Sequence, residues 1–181
     1  MELGTKSRAL AVAGLAMNPA FPALAAKADT LYLVECYRGG KLLWTETFHN
    51  TVTTVGLNKL LDATFKNGLA SPAWFVGLKG SGSLVLGDTM GGHGGWSELT
   101  AYSGARPAYT PGAISGGAVD NSAAKATFNM TGTTTVYGCF LVDDSTVGGV
   151  VGTLYGGGDF SLARSVILGD IIYATLSLSV S

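Results

Sequence analysis

The chain has 181 residues and a formal net charge of −1, with 47% hydrophobic and 13% charged residues. Lys and Arg form no block, so the charge pattern argues against a nucleic-acid partner and against binding to an anionic membrane. Although 27 residues are glycine, the 47% hydrophobic fraction and the recurring apolar runs argue against a disordered chain. We expect one folded domain that hides much of its weakly charged surface against other chains.

Residues 1–28 differ from everything that follows. An Ala-rich apolar run over 9–17 comes after two basic residues, and Ala23-Leu24-Ala25 comes later. This order imitates a secretory signal peptide, but Pro19 and Pro22 interrupt it, and the apolar run is too short to span a bilayer. We expect an N-terminal arm, a short helix and then an extended stretch, that docks on another surface. The alternatives are a retained signal and an arm folded back on its own domain.

The clearest hairpin runs from Asp29 to His49. The strand over 30–38 is rich in β-branched and aromatic residues, and Gly39-Gly40 can take positive φ at both turn positions. The return strand over 41–49 alternates, which predicts one apolar face. That face consists of Leu42, Trp44 and Phe48.

One amphipathic helix is predicted over Thr53–Gly68. Thr53 or Thr54 can cap its start and Gly68 can supply the left-handed residue at its end. Its apolar positions follow the spacing of one helical face. They are Leu57, Leu60, Leu61, Thr64 and Phe65. We expect this stripe to pack over one end of a sheet.

Short strands fill the rest of the chain. We expect strands over 73–79 and 96–102, separated by a glycine-rich loop, and an edge segment between two prolines at 108–110. Further strands are expected over 125–130 and 134–142, paired through a turn at 131–133, and over 150–155. The last element is a hairpin of 163–168 and 171–180 about the turn Gly169-Asp170.

About eight to ten strands at this spacing are typical of a mainly β fold. We therefore predict a β-sandwich or jelly-roll-like domain over residues 29–181, with one short amphipathic helix and the N-terminal arm over 1–28. Cys36 and Cys139 each fall within an apolar strand pattern. They are expected to be buried free thiols, because they form no metal-binding or redox spacing.

Few residues suggest chemistry. Asp88, His93 and Glu98 surround the glycine loop at five-residue spacing, but one histidine with two dispersed carboxylates is a weak metal signal. Asp143-Asp144 lacks the alternating acidic loop and terminal Glu of a calcium site, and Gly156-Gly157-Gly158 has no helix and Lys after it to form a phosphate cradle. We expect no catalytic residues, metal or cofactor.

Three residues near the end of the glycine-rich stretch are candidates for contact with another chain. Tyr102, Arg106 and Tyr109 are of the residue types that dominate protein–protein hot spots. The alternative is that these side chains pack and pair within their own loop.

Several strings, in order and spacing, resemble a group of tailed-bacteriophage virion proteins. They are TVGLNKLLD at 54–62, WFVGL at 74–78, GDTM at 87–90 running to HGGWSE at 93–98, RPAYTPG at 106–112, VDNS at 119–122 and GTLY at 152–155. The resemblance covers about residues 50–180 and does not include the arm. It implies a structural component of a virion and supplies no catalytic residues.

Within virions, we expect a capsid decoration, or cement, protein on the capsid surface. Such a protein is not an enzyme and forms a homo-oligomer; its partners are the major capsid protein and copies of itself, with no nucleic acid and no membrane. The first alternative is a tail fibre or appendage module that binds a receptor or glycan. The second is a secreted bacterial β-sandwich protein whose first 25 residues are a signal.

Overall fold

The computed structural model describes residues 27–66 and 73–180. The N-terminal arm up to Ala26, and with it the choice between arm and signal, lies outside the described residues. The described chain contains one helix, α1 at Thr54–Phe65, and eleven strands. The strands are β1 Ala28–Arg38, β2 Lys41–His49, β3 Thr51–Val52, β4 Trp74–Gly82, β5 Trp96–Leu99, β6 Ala108–Tyr109, β7 Ala118–Asp120, β8 Ala126–Asn129, β9 Thr134–Val142, β10 Leu154–Val166 and β11 Ile171–Val180.

The strands form two antiparallel sheets. In the first, the order is β2-β1-β11-β7, and β8 also pairs with β11; in the second, the order is β3-β10-β9-β4-β5, and β6 also pairs with β4. Buried side chains of both sheets, such as Val34 of β1 and Val76 of β4, belong to one core cluster. The prediction of a mainly β fold with one helix is confirmed, and the jelly-roll topology stays a prediction.

The first hairpin is confirmed. Gly39 and Gly40 have φ of 54° and 78°, a conformation that glycine takes without the steric penalty of a Cβ. The predicted apolar face of β2 is partly wrong, because Leu42 is exposed and Glu46 points inward. The pairing of β1 with β2 shifts register between Cys36 and Tyr37. A β-bulge of this kind bends and twists the strand, so the alternation of inward and outward side chains does not continue along its whole length.

Two predicted strand pairings are wrong. β8 pairs with β11, whereas β9 pairs with β4 and β10, so the turn at 131–133 carries the chain between sheets. Likewise β10 and β11 lie in different sheets, although Gly169 takes the expected positive φ of 87°. The two crossing turns are bonded to each other, since Met130 N donates to Asp170 O and Gly169 N donates to Met130 O. The alternation of apolar and polar residues predicts which face of a strand is buried, but it does not predict which strand lies next to it in the sheet.

β10 is longer than predicted, because it continues through the glycine triplet that was expected to end it. A Cβ on Gly158 would lie 2.7 Å from the ring of Phe48, and one on Gly157 would lie 2.9 Å from Cβ of Phe140. These glycines therefore serve close packing inside a strand, which is one of the roles of strand glycine.

Both cysteines are buried free thiols, as predicted. Cys36 belongs to the first sheet and Cys139 to the second, and both lie in the common core. Burial raises the pKa of the Cys36 thiol to about 11 and that of Cys139 further, because a low-dielectric surrounding disfavours the thiolate.

The helix begins where the sequence predicts. Thr53 is the N-cap, and its side-chain oxygen accepts a hydrogen bond from Gly56 N at 3.1 Å. The expected terminal residue Gly68 lies outside the described residues. The helix meets the sheet at Gly56, where a Cβ would lie 2.8 Å from the α carbon of Tyr155. The prediction that this helix packs on a sheet is confirmed, but only part of its apolar stripe takes part: Leu60 contacts the core, whereas Leu57 and Phe65 are exposed.

Candidate functional site

The glycine-rich loop between β4 and β5, residues 83–95, is held by one carboxylate oxygen. Oδ2 of Asp88 accepts from Val85 N at 2.9 Å and from the indole Nε1 of Trp96 at 3.0 Å. Thr89 and Gly92 exchange backbone hydrogen bonds in both directions, so the chain after Asp88 forms a tight backbone loop. Charge-assisted bonds of this kind make the loop a rigid element.

The residues considered for a metal each have a partner inside the chain. The ring of His93 stacks on Trp96 at 4.1 Å, and its Nδ1 lies 3.2 Å from Trp96 O. Asp88 is engaged as above, and Glu98 is engaged with Arg106. Within residues 27–66 and 73–180, no three His, Cys, Asp or Glu side chains gather closely enough to hold a metal ion.

Arg106 is a buried clamp between two loops. Its guanidinium makes two hydrogen bonds to Glu98 of β5, Nε to Oε1 at 2.8 Å and Nη2 to Oε2 at 2.7 Å. It also donates to the backbone carbonyls of Asp144 and Gly149 at 2.9 and 3.0 Å. The planar fork of Arg suits this bidentate pairing. Arg106 thereby joins β5 to the loop between β9 and β10, residues 143–153.

Glu98 completes this clamp from the other side. Its Oε2 accepts a hydrogen bond from Gly148 N at 2.8 Å in addition to the bond from Arg106. The guanidinium carbon also lies 5.4 Å from the ring centroid of Phe140, within the range of a cation–π contact. The 143–153 loop is thus fixed by the Arg106–Glu98 pair at three backbone positions.

The other two predicted contact residues are also buried. The ring of Tyr102 packs edge-on against Phe128 with centroids 5.0 Å apart. Tyr109 donates its hydroxyl proton to Val119 O at 3.3 Å, and burial raises its pKa to about 12. Tyr102, Arg106 and Tyr109 therefore make internal contacts, and their direct role at an interface stays a prediction.

The loops that these contacts hold display aliphatic side chains to solvent. We define the loop surface as Val85, Leu86, Val150 and Val151, whose exposed fractions lie between 55% and 62%. The two loops meet where a Cβ on Gly91 would lie 3.6 Å from Val150 O. A rigid apolar surface is favourable for binding, because little conformational entropy is lost when it is covered.

These four residues were not among the predicted contact residues. Val150 and Val151 were expected at the start of a strand, whereas β10 begins at Leu154. A sequence signal for these two valines is the run Val147-Gly-Gly-Val-Val-Gly152, in which glycines flank aliphatic residues that a solvent-exposed turn does not need.

A shallow groove of about 360 Å³ lies beside the loop surface. His93, Trp96 and Glu98 line one side of it, and Gly148 to Val150 line the other. Trp96 is buried behind His93, and the carboxylate of Glu98 is bonded to Arg106 and Gly148. The half-buried ring of His93 is therefore the aromatic group that a sugar or a peptide in this groove could contact.

Comparison with known proteins supplies no function for this chain. No protein-family model matches it, and no curated protein matches it. In the part of the chain that the structure describes, no helix is long and apolar enough to cross a membrane. Function is therefore inferred from the surfaces and contacts of the chain itself.

Proposed function

We propose that this chain is a non-enzymatic structural protein of a tailed-phage virion, and that it acts as a capsid decoration protein. The observation that carries this proposal is the loop surface: four exposed aliphatic side chains on two loops that Asp88 and Arg106 hold rigid. The sequence resemblance to virion proteins supports the same assignment. The two antiparallel sheets around a common core support the proposal that the domain is a sandwich of the jelly-roll type, as is usual in this class.

The mechanism is the burial of apolar surface across a seam between capsomers. Each copy places Val85, Leu86, Val150 and Val151 against the major capsid protein, and burial stabilises the contact by about 25 cal/mol for each Å² of apolar surface removed from water. Capsid symmetry repeats this modest contact over the whole shell, and contacts among copies add avidity. The shell then resists internal pressure without any covalent step.

The test uses capsids of the encoding phage that lack this protein. Purified wild-type chain should bind along the shell and raise the temperature at which the capsid releases its DNA. The double variant Val150→Ser/Val151→Ser should bind at least about tenfold more weakly, since about 1 kcal/mol or more is lost for each buried aliphatic side chain. The matched control is Leu162→Ser, which changes an equally exposed residue of β10.

Each outcome has a defined meaning. Equal binding of all three proteins, with unchanged melting temperatures, contradicts the role of the loop surface. Absence of wild-type protein from the shell contradicts the decoration function itself.

The groove beside the loop surface favours a second candidate, a tail fibre or appendage module that binds a receptor or glycan. The half-buried ring of His93, which is backed by the buried Trp96, provides an aromatic surface that a sugar could contact. In this case, electron microscopy of virions labelled with antibody to the chain would show it at the tail. Host-surface oligosaccharide would also quench tryptophan fluorescence, and His93→Ala would weaken that response.

A further inference from the structure

An apolar groove of about 460 Å³ lies along the outer side of α1. Leu57, Leu60, Leu61 and Phe65 of the helix line it, together with Ala28 of β1 and Val180 of β11. Leu57, Leu61 and Phe65 are 39%, 55% and 77% exposed. A contiguous patch of large apolar side chains on a helix marks a surface that another segment covers.

The described chain begins at one end of this groove. Ala28 forms part of the groove wall, and Lys27 shares an adjacent pocket with Ala28 and Leu57. The 26 residues that precede Lys27 therefore join the domain beside Leu57. They are attached at the end of the groove that is opposite Phe65, because the exposed stripe runs from Leu57 to Phe65 along α1.

The length of the preceding segment fits the groove. At about 1.5 Å per residue, the helix advances roughly 12 Å from Leu57 to Phe65. An extended chain covers about 3.3 Å per residue, so Leu24, four residues before Ala28, reaches roughly 13 Å. Leu24 therefore falls at the far end of the stripe, whereas Phe21, seven residues before Ala28, reaches roughly 23 Å and lies past that end.

The composition of the segment also fits. Residues 9–26 contain no charged side chain, and Phe21-Pro22-Ala23-Leu24 places two large apolar residues around a proline. Proline holds φ near −65° and disfavours helix at the residue before it, so Phe21 and Pro22 favour an extended path, and the extended strand β1 begins at Ala28 on the other side of the segment. An extended apolar strand of chain is what a groove between a helix and two strand ends can accept.

We propose that residues 21–26 of this same chain dock at the α1 groove: residues 24–26 lie in it, with Leu24 packed against Leu61 and Phe65, and residues 21–23 continue past its far end. The segment is tethered directly at Lys27, and a short tether gives an effective concentration in the millimolar range. The tether therefore favours the chain's own segment over that of a second copy. This docking involves the purified chain alone and does not depend on the proposed virion function.

The first test is photo-crosslinking of the full chain carrying Leu61→p-benzoylphenylalanine. On irradiation, the benzophenone carbonyl takes a hydrogen atom from a neighbouring C–H group, and the two radicals combine into a C–C bond. Trypsin cuts after Arg8, Lys27, Lys59 and Lys66, so the expected product joins peptide 9–27 to peptide 60–66. It should arise in protein that migrates as a monomer.

The matched control places the same photoreactive residue at Leu43, an exposed leucine of β2, and should give no adduct with peptide 9–27. An adduct between peptides 9–27 and 60–66 that appears only in a crosslinked dimer overturns the proposal in favour of a second copy. No adduct with peptide 9–27 from position 61, or an adduct with another peptide alone, overturns it as well.

The second test needs no unnatural residue. Leu24→Ser should uncover the groove and raise the fluorescence of a dye that binds apolar surfaces at least about twofold, with the melting temperature showing that the domain stays folded. Leu10→Ser, in the same apolar segment but outside residues 21–26, is the control and should leave dye binding unchanged. Equal dye binding by both variants and wild type contradicts the docking.

Discussion

The guanidinium of Arg106 and the carboxylate of Glu98 are joined by two hydrogen bonds inside the protein. The two residues are eight positions apart, in a loop-rich stretch whose charged side chains would be expected at the surface. The side chain of Arg106 is fully buried and that of Glu98 is 6% exposed. Such a pair contributes little net stability by itself, but removing one partner leaves an uncompensated buried charge. The pair therefore positions the loop surface, and it is a sensitive point of the fold.

We predict that Arg106→Met lowers the free energy of unfolding by about 3–5 kcal/mol, because Glu98 is left buried without its cation. Two backbone carbonyls, those of Asp144 and Gly149, lose their donor as well. Urea unfolding followed by circular dichroism measures the change. Adding Glu98→Gln to this variant should restore part of the loss, since the buried charge is then removed.

The control for this prediction is Lys125→Ala. Lys125 pairs with Glu35 at 2.6 Å, but its side chain is 37% exposed, and solvent-exposed pairs contribute about 0–1 kcal/mol. If Arg106→Met destabilises the protein no more than this control does, Arg106 is not the clamp that its geometry indicates.

Gly56→Ala should destabilise the protein, although alanine is the better helix former. In an ordinary helix interior this change gains about 1 kcal/mol. Here the added Cβ would lie 2.8 Å from two backbone atoms of Tyr155, so the helix must move away from β10. We expect a net loss of about 1–3 kcal/mol, the usual cost of overpacking, measured by thermal unfolding.

Asn58→Ala provides the comparison within the same helix. Asn58 is exposed, so this variant should be neutral or more stable by a few tenths of a kcal/mol. A gain in stability for both variants would mean that α1 does not approach β10 as closely as described.

The pair of Arg38 and Asp170 predicts a pH dependence. Two hydrogen bonds from Arg38, at 2.7 and 2.8 Å, lower the pKa of Asp170 below its usual value. A carboxyl group whose pKa is lower in the folded state stabilises that state above the unfolded pKa, about 4, and this contribution is lost as the pH falls through the folded pKa. Arg38→Met should therefore lower the free energy of unfolding modestly at pH 7 and progressively less below about pH 4.

Solvent weakens this ion pair, because the side chain of Arg38 is 45% exposed even though that of Asp170 is buried. Lys41→Met, a change at a neighbouring exposed lysine, should have no comparable pH dependence. Chemical unfolding at a series of pH values from 7 to 3 measures both variants. A constant difference between Arg38→Met and wild type across this range is the result that excludes the linkage.

Local features of the chain were predictable because they depend on neighbouring residues. Gly39-Gly40 permits a turn with positive φ at both positions. Thr53 or Thr54 can cap the helix, and Thr53 does so. Alternation along β11 separates its buried Ile172, Ala174 and Leu176 from half-exposed neighbours. Each of these depends on backbone geometry or on a period of two, which a few consecutive residues determine.

The tertiary structure decided which strands pair with each other and which charged side chains are buried. The turns at 131–133 and 168–170 look like hairpin turns, yet each carries the chain from one sheet to the other, because sheet partners depend on contacts between distant strands. Glu98 and Arg106 look like surface residues, yet packing encloses them. Sequence alone therefore determined the mainly β class, the first hairpin, the helix start and the free thiols. Only the tertiary structure decided that Arg106 lies inside and that the loop surface faces solvent. The physical reason is that the burial of a side chain depends on strands and loops that are distant in the sequence.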